Sequence, residues 1–313
     1  MNNDRPKIQF ASAPVSWGVQ DFRDVAWDQP WQQVLDEIAA AGYQGTELGP
    51  YGFYPANPAP LEPALQSRKL AMLSAFVPVP LSEPALAGQA IDHVRKVGKV
   101  LEALRAPVLV LSDAQTPDRQ RIAGHVPADG RASLHAEQWQ HLKRVLHEIE
   151  NVAGEFGLSA VFHPHVATHI ETPAEVEKLF ETISGTKIGL CLDTGHCVYG
   201  GGDPVEEGKK YRTLLRYVHI KDIHAETLGE ARRRGLTFAE AVAQGVFSQI
   251  GKGCIYFPAF FRLLREIGYT GWAIVEQDVE YGKTMAPPVE SMKTGLDYLK
   301  DVVSRVEAEA SAE

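Results

Sequence analysis

Short apolar runs alternate with longer amphipathic stretches along nearly the whole chain. The runs are mostly continuous rather than alternating in polarity, which is typical of parallel strands buried on both faces of a sheet. Between them, residues 31–41 and 132–156 carry apolar positions at the three- and four-residue spacing of helices. Eight runs have the length of a strand, and they lie at residues 8–15, 45–49, 70–77, 106–113, 158–165, 188–193, 217–223 and 272–276.

This alternation predicts an α/β fold, a single (β/α)8 TIM barrel that occupies residues 1–313 as one domain. A dinucleotide-binding fold is not favoured, because the Gly-x-Gly-x-x-Gly turn of such folds is missing from the sequence. We expect residues 224–254 to be an insertion after the seventh strand and residues 114–131 to be a surface loop. The acidic tail, residues 307–313, is predicted to be disordered.

Composition narrows the class of protein. The 313 residues are 44% hydrophobic, which is enough for a large core, and the formal net charge is −9. An acidic chain lacks the clustered positive charge that holds a phosphate backbone, so no nucleic-acid partner is expected. We expect a cytoplasmic protein without a membrane partner, since the sequence shows neither a membrane-spanning run nor the apolar core of a signal peptide. The cysteines lack Cys-x-x-Cys spacing and are predicted to be free thiols: Cys191, Cys197 and Cys254.

Functional side chains of a (β/α)8 barrel lie at the carboxyl ends of its strands. The predicted strand ends form a dense set of polar groups, namely Trp17, Glu47, Asp113, His163, His165, Asp193, His196, His219, Lys221, Asp222, Glu276, Gln277 and Asp278. Histidine mixed with carboxylates suits a borderline divalent ion, whereas a pure Mg2+ or Ca2+ site favours oxygen ligands alone. We therefore predict one divalent ion, with Mn2+ or Co2+ preferred and Fe2+, Zn2+ or Mg2+ as the other options.

Three residues are the strongest candidates for metal ligands. Asp193 ends an apolar run and either binds the ion or caps the helix that follows. His219 points the opposite way from its two apolar neighbours, and it either enters the barrel lumen or is a hydrogen-bonded core histidine. Glu276 follows three apolar residues, and burial of its carboxylate would be costly without a nearby cation, which a metal ion would supply.

Other strand-end residues are candidates for proton transfer and substrate binding. Glu47 is either a general base or the partner of a lysine in the lumen. Lys221 shares the inward direction of His219, and close to a cation it could titrate low enough to act as an acid or base, bind a substrate hydroxyl, or instead lie on the surface. His196 either orients Asp193 or donates a proton to the substrate. The predicted substrate-binding residues are Trp17, His165, Asp222 and Gln277, with a core position for Trp17 and a capping or ion-pair role for Asp222 as alternatives.

The end of the fifth run leaves a choice open. His163 and His165 share one side of the predicted strand and lie nearest its end, so either could serve as a base or a ligand. His169 and Glu171 fall in the following loop, where solvated surface residues are common. Spacing alone does not choose among these four residues.

Assembled in this order, the segments resemble the xylose-isomerase-like barrel superfamily of sugar isomerases, epimerases and dehydratases, which also includes endonuclease IV. The matching segments are Ala13-Pro-Val-Ser-Trp17, Gly42-Tyr-Gln-Gly-Thr-Glu47, Phe162-His-Pro-His165, Leu192-Asp-Thr-Gly-His196, Val218-His-Ile-Lys-Asp222, Gly251-Lys-Gly-Cys-Ile255 and Gly271-Trp-Ala-Ile-Val-Glu-Gln-Asp278. Within the superfamily, the pairing of these motifs resembles the inosose dehydratases.

The resemblance implies one divalent ion held by one group from each of strands five to eight. The last three positions fall on Asp193, His219 and Glu276, which are also candidates from their own surroundings. Many members carry a glutamate at the end of strand five, where this chain has Phe162 and His163. The fourth ligand therefore stays open among the strand-five and loop candidates, which are His163, His165 and Glu171.

An inosose dehydratase removes water from a keto-inositol to give a diketone. In such a reaction a metal ion stabilises negative charge on the ketone, a base such as Glu47 or His163 takes the neighbouring proton, and an acid such as His196 or Lys221 protonates the departing hydroxyl. A sugar isomerase or epimerase begins with the same proton removal and is the main alternative. An abasic-site endonuclease is disfavoured by the charge, and a non-catalytic sugar-binding barrel is a third reading. The expected partner is a small polyol or sugar, and helix faces such as residues 132–156 could pair subunits of a homo-oligomer or simply cover the barrel.

Overall fold

The computed structural model describes residues 8–20, 29–279 and 287–312. Its main sheet is a barrel of parallel strands, which confirms the predicted fold class. We number the barrel strands in chain order: β1 Gln9–Ser12, β2 Gly45–Thr46, β3 in two pieces, Ala71–Met72 and Ser74–Val79, β4 Val108–Asp113, β5 Ser159–Phe162, β6 Gly189–Asp193, β7 Leu215–Ile220 and β8 Trp272–Val275.

The barrel closes through its third strand, which is interrupted at Leu73. The piece Ala71–Met72 pairs with β2, and the piece Ser74–Val79 pairs with β4. Leu73 itself is bonded to both neighbours, because its N–H donates to the Thr46 carbonyl at 3.0 Å and its carbonyl accepts from the Val108 N–H at 3.2 Å. The two edges of the sheet are therefore formed by two pieces of the same strand, β3. Together with the pairing of β8 with β1, this closes the barrel.

Helices surround the barrel and turn their apolar stripes toward it. In the first of them, Val34, Leu35 and Ile38 are buried at helical spacing, and Gly42 ends the helix in the left-handed region with φ 95°. The helices are α1 Trp31–Ala41, α2 Pro58–Arg68, α3 Ala87–Ala103, α4 Pro117–Arg121, α5 Ala136–Glu155, α6 Pro173–Thr182, α7 Thr194–Tyr199, α8 Pro204–Lys210, α9 Ala225–Arg234, α10 Phe238–Ala243, α11 Phe257–Glu266 and α12 Pro288–Ala312.

Two sequence predictions about chain segments are wrong. The polar residues 114–131 are not simply a surface loop, since they contain α4, and the Arg119 side chain is only 2% exposed because it pairs with Glu175 of α6. The acidic tail is not disordered through its length, since α12 continues to Ala312. Alanine and glutamate are strong helix formers, and Glu309 is paired with Arg262 of α11, so the negative charge of the tail does not prevent helix formation.

The predicted insertion, residues 224–254, is folded onto the barrel. It contains α9, α10 and a strand Phe247–Ser248, which pairs antiparallel with Asp222–Ile223 just after β7. A small separate core forms there, in which Phe238 and Phe247 of the insertion pack with Val166, which follows β5, and with Tyr199 of α7. The insertion therefore covers the carboxyl ends of β5, β6 and β7.

Two further predictions can be compared with the described residues. All three cysteines are free thiols, as expected from their spacing. Among the described residues, none of the helices combines the length and the apolar character that a membrane crossing requires.

Candidate active site

A cavity of about 260 Å³ lies at the carboxyl ends of the barrel strands. Its apolar wall includes Val15, Val19 and Phe76. Its polar lining consists of Gln20, Glu47, Asp113, Gln115, His163, His165, His219, Lys221, Glu276 and Asp278. The cavity is slightly smaller than the roughly 300–1,000 Å³ typical of small-molecule pockets, which suits one compact substrate.

His219 of β7 is held in a defined orientation by Glu47. The imidazole Nε2 lies 3.0 Å from Glu47 Oε1, and Ser74 Oγ donates to the same oxygen at 2.7 Å. A histidine whose Nε2–H donates to a carboxylate presents an unprotonated Nδ1, which is the usual arrangement of a metal-binding imidazole. His219 Nδ1 lies 3.2 Å from Glu276 Oε2 on the other side of the ring.

Asp193 caps the helix that follows, which is one of the two roles that its sequence position suggests, and its second oxygen stays available for the other. Its Oδ1 accepts the N–H of His196 at 2.8 Å and so caps α7, while its Oδ2 faces His163 Nε2 at 3.4 Å. Burial opposes ionisation, but the positive charge of Lys221 and the neighbouring histidines hold the pKa of Asp193 well below its ordinary value. The glycine of the Asp-Thr-Gly-His motif is required sterically, because a Cβ on Gly195 would lie 2.5 Å from Cβ of Lys221.

Lys221 lies among three carboxylates. Its Nζ is 3.3 Å from Asp193 Oδ2, 3.0 Å from Glu276 Oε2 and 3.1 Å from Asp278 Oδ1. Burial lowers the pKa of Lys221, but these carboxylates outweigh it and hold the pKa well above its ordinary value. The expectation that Lys221 titrates low therefore does not match this structure, in which the neighbouring carboxylates favour the charged ammonium.

Three neighbouring pairs among four residues have ligand atoms at distances that one divalent ion could span. His163 Nε2 and Asp193 Oδ2 are 3.4 Å apart, Asp193 Oδ2 and His219 Nδ1 are 3.9 Å apart, and His219 Nδ1 and Glu276 Oε2 are 3.2 Å apart. Ligand atoms about 2.1 Å from one ion lie roughly 3–4 Å from each other. Asp193 Oδ2 and His219 Nδ1 are also buried without a hydrogen bond in the described part of the chain, which is what an ion would relieve.

Compact groups of possible ligand atoms overlap in the same region. Within the described residues, the sets in which all atoms lie within 4.8 Å of one another are Glu47–His219–Glu276, His163–Asp193–His196 and His163–Cys191–His219. Asp193, His219 and Glu276 do not form such a set together, and Lys221 Nζ contacts both Asp193 and Glu276. An ion that bound both carboxylates would supply part of the positive charge that Lys221 supplies in this structure.

His165 faces the cavity but belongs to none of these groups. Its Nδ1 lies 2.7 Å from the Val166 carbonyl, to which it donates, and its ring stacks on His196 with centroids 3.8 Å apart. His196 Nε2 is 3.0 Å from Lys221 Nζ. The geometry thus favours His163 over His165 as the ligand from strand five and leaves His165 on the substrate side.

Four other candidates lie away from the cavity. Trp17 turns outward in the short helix Pro14–Trp17 and donates from Nε1 to Glu37, so the core alternative holds and the substrate-wall prediction is wrong. Asp222 and Gln277 are one residue out of phase with Lys221 and Glu276, so they point away from the lumen and do not line the cavity as predicted. The Glu171 carboxylate accepts the N–H groups of Gly124 and Ala167 instead of reaching the cluster.

Asp278 is a site residue to which the sequence assigns no role beyond its place at a strand end. It lines the cavity, contacts Lys221, and lies 3.8 Å from His196 Nε2. Mainly because of burial, the pKa of Asp278 is raised to about 6. The signal that could have found it is the two-residue strand period, which continues from Glu276 to Asp278 and passes over Gln277.

Comparison with known proteins identifies the family. A family model described as "Xylose isomerase-like TIM barrel" matches residues 35–302. The chain belongs to this family. It is 31% identical over 306 residues to an inosose dehydratase of Clostridium botulinum (strain Alaska E43 / Type E3), covering 97% of this chain and 99% of the relative. It is 32% identical over 297 residues to the rhizopine catabolism protein MocC of Rhizobium meliloti, covering 95% and 89% of the two chains.

Two solved structures share the fold. The IolI protein, whose structure contains a zinc atom, has a TM-score of 0.72 and 17% identity, with 96% of this chain and 99% of that chain covered. An L-ribulose 3-epimerase has a TM-score of 0.73 and 14% identity, with 98% of each chain covered. At these identities the structural likeness concerns the barrel alone.

Proposed function

We propose that this protein is a divalent-metal-dependent dehydratase that removes water from a keto-inositol or a similar polyol ketone. One observation carries the proposal: the cavity brings a histidine and carboxylate cluster suited to an ion beside a Lys221–His196–Asp278 group that can supply a proton. The near full-length relationship to inosose dehydratases supports the substrate class. A lyase or isomerase is the enzyme type common to these relatives and to the sugar-processing proteins of the same fold.

The ion would be held by His163, Asp193, His219 and Glu276, and we expect Mn2+ or Co2+. When bound, it would polarise the ketone and stabilise the negative charge that develops on the ketone oxygen. Burial lowers the pKa of His163 and favours the neutral imidazole that a metal ion needs. At His219 burial is outweighed by neighbouring groups that include Glu276 and Glu47, which raise its pKa, so an ion would displace a proton there.

Glu47 is proposed as the base that takes the proton from the carbon next to the ketone. Its Oε1 is fixed by Ser74 and His219, and its Oε2 accepts no hydrogen bond from the described residues. That second oxygen is therefore free to receive a proton from a substrate in the cavity. Because the first oxygen is bonded to His219, the base is placed directly beside the proposed metal ligands.

Lys221 is proposed as the acid. Loss of a hydroxyl from the next carbon breaks a C–O bond and needs one proton, which the Lys221 ammonium supplies so that water leaves. The remaining enol then rearranges to the diketone. An isomerase that moves hydrogen between adjacent carbons has no departing hydroxyl to protonate, so loss of water from the substrate distinguishes dehydration from the isomerase alternative.

The decisive experiment uses protein that has been stripped of metal and reloaded with Mn2+ or Co2+. Incubation with keto-inositols should give a conjugated diketone, detected by ultraviolet absorbance and by a product mass lower by one water, whereas ketoses should stay unchanged. An isomerised sugar without loss of water would establish the alternative activity. Full activity in the stripped protein would contradict metal dependence.

The metal assignment has a matched pair of variants. Asp193→Asn should lower metal stoichiometry and activity together, by more than the roughly 10–100-fold that loss of an outer partner of a metal ligand costs. Asp203→Asn is the control, because Asp203 also caps a helix, accepting the N–H groups of Val205 and Glu206, but lies outside the cavity. Equal effects of the two variants would show that Asp193 acts only as a helix cap.

A further inference from the structure

Asp222 lies where the insertion joins the barrel, and its carboxylate is fully engaged. Only 1% of the residue is exposed. Its Oδ1 accepts the N–H groups of Ile223 and Ile255 at 2.9 and 3.1 Å, and its Oδ2 accepts those of Gly251 and Gly253 at 3.0 and 2.9 Å. The four donors come from residues at both ends of the insertion, so the Asp222 side chain connects its N-terminal end with its C-terminal end.

The loop is shaped closely around this carboxylate. A Cβ on Gly253 would lie 2.2 Å from Asp222 Oδ1 and 2.5 Å from the Ile223 carbonyl oxygen, so only glycine fits there. The antiparallel pairing beside it is just two residues long on each strand. Two-stranded ribbons of that length are marginal without further support, and the buried carboxylate supplies that support.

The same ribbon presents an aromatic ring to the proposed acid. Phe247 is paired with Ile223, and its ring centroid lies 5.6 Å from Lys221 Nζ and 5.3 Å from the His196 ring. Phe238 of α10 continues this wall at 5.9 Å from the His196 ring. The insertion therefore closes the outer side of the lysine and histidine with apolar surface, which excludes water from them.

We propose that Asp222 is a positioning residue that fastens the loop of residues 251–255 to the end of β7 and thereby holds Phe247 against Lys221 and His196. The inference rests on the proposed function in one respect, namely that Lys221 delivers the proton. Asp222 touches no substrate in this account. It acts by keeping the donor ammonium dry and in one position relative to the cavity.

The test follows Asp222→Asn and Asp222→Ala in the metal-loaded protein. For Asp222→Ala, kcat should fall roughly 10- to 100-fold, as small displacements of reacting groups do, while KM stays within about twofold. Asp222→Asn keeps one acceptor oxygen and should retain part of the lost rate. Hydrogen exchange of residues 247–255 should accelerate in both, with metal stoichiometry unchanged, and Asp203→Asn should match the wild type in every measurement.

A readout independent of catalysis is the rate at which a soluble, amine-reactive acylating reagent labels Lys221, measured by peptide mass spectrometry. Lys221 is 3% exposed in the intact protein, so its labelling should be slow and should become faster in the Asp222 variants. Phe247→Leu provides a second route that leaves the Asp222 bonds in place. It should increase the labelling of Lys221 and lower kcat without accelerating exchange at residues 251–255.

The outcomes separate the two proposals. Unchanged exchange at residues 247–255 in Asp222→Ala would overturn the fastening role, and faster exchange with unchanged kcat and unchanged Lys221 labelling would overturn the positioning role. If the wild-type protein forms no diketone, the dehydratase proposal fails on its own. Exchange and labelling would still decide whether Asp222 fastens the loop over Lys221.

Discussion

Arg119→Met should strongly destabilise the fold. Arg119 donates from Nη1 and Nη2 to the two carboxylate oxygens of Glu175 at 2.7 and 2.9 Å, and their side chains are only 2% and 5% exposed. Methionine retains much of the apolar stem but leaves a buried carboxylate without its counter-charge. Breaking a buried pair in this way costs about 3–5 kcal/mol of the free energy of unfolding. Urea unfolding followed by far-ultraviolet circular dichroism measures the change.

The matched control is Arg95→Met, which removes the arginine of another bidentate ion pair, the one with Glu155. That pair is exposed to solvent, so its loss should leave the urea midpoint essentially unchanged. The double variant Arg119→Met/Glu175→Leu should regain only part of the stability lost by Arg119→Met, because the Glu175 charge is gone but the buried Glu171 carboxylate, 3.7 Å from Arg119 Nη2, also loses its arginine. Equal midpoints for Arg119→Met and Arg95→Met would refute the reasoning.

Three further predictions concern the site and its surroundings. His163→Asn should lower the stoichiometry of bound Mn2+ in equilibrium dialysis, whereas His165→Asn should leave it unchanged and raise KM; the reverse pattern would make His165 the ligand. A phosphorylated polyol ketone should be neither bound nor dehydrated, as competition assays would show, because Lys221, the cationic side chain that the described structure places in the cavity lining, is already paired with carboxylates. Burial raises the pKa of Glu171 to about 7. The stability that this group contributes is therefore full below its ordinary pKa of 4.5 and is lost as pH rises through 7. Relative to Glu171→Gln, the urea midpoint of the wild type should fall between about pH 5 and 8.

The barrel and the inner side of the site were predictable for one physical reason. Parallel strands covered on both faces must be apolar throughout, so each appears as a continuous run whose first polar residue marks its carboxyl end. Strand alternation then places His219 beside Lys221 and Glu276 beside Asp278 on the inner side. The same rule, applied consistently, would have removed Gln277 and Asp222 from the substrate-binding set.

The errors arise where the chain leaves the regular strand geometry. Trp17 follows β1 by several residues, and the intervening short helix rotates it outward toward Glu37, which no strand period describes. Arg119 lies in a polar stretch, and its burial depends on Glu175, 56 residues further along the chain. Hydropathy cannot reveal such a pairing, because each residue alone is typical of solvent-exposed sequence.

The charges at the strand ends give a physical reason to expect an ion in addition to Lys221. Four carboxylates, those of Glu47, Asp193, Glu276 and Asp278, contact Lys221 or His219 in buried surroundings. The Lys221 ammonium and the protonated His219, whose pKa the surrounding carboxylates raise, leave this cluster with a formal charge of about −2, which is costly at such burial. A divalent ion that displaced the His219 proton would reduce the negative charge to about −1. The raised pKa of Asp278 shows the same excess of negative charge, since burial and the Glu276 and Asp193 carboxylates act together against its ionisation. Under the proposed function, an ion would therefore complement the lysine: it would balance the side of His219 and Asp193, and Lys221 would balance Asp278, where the leaving hydroxyl would be protonated.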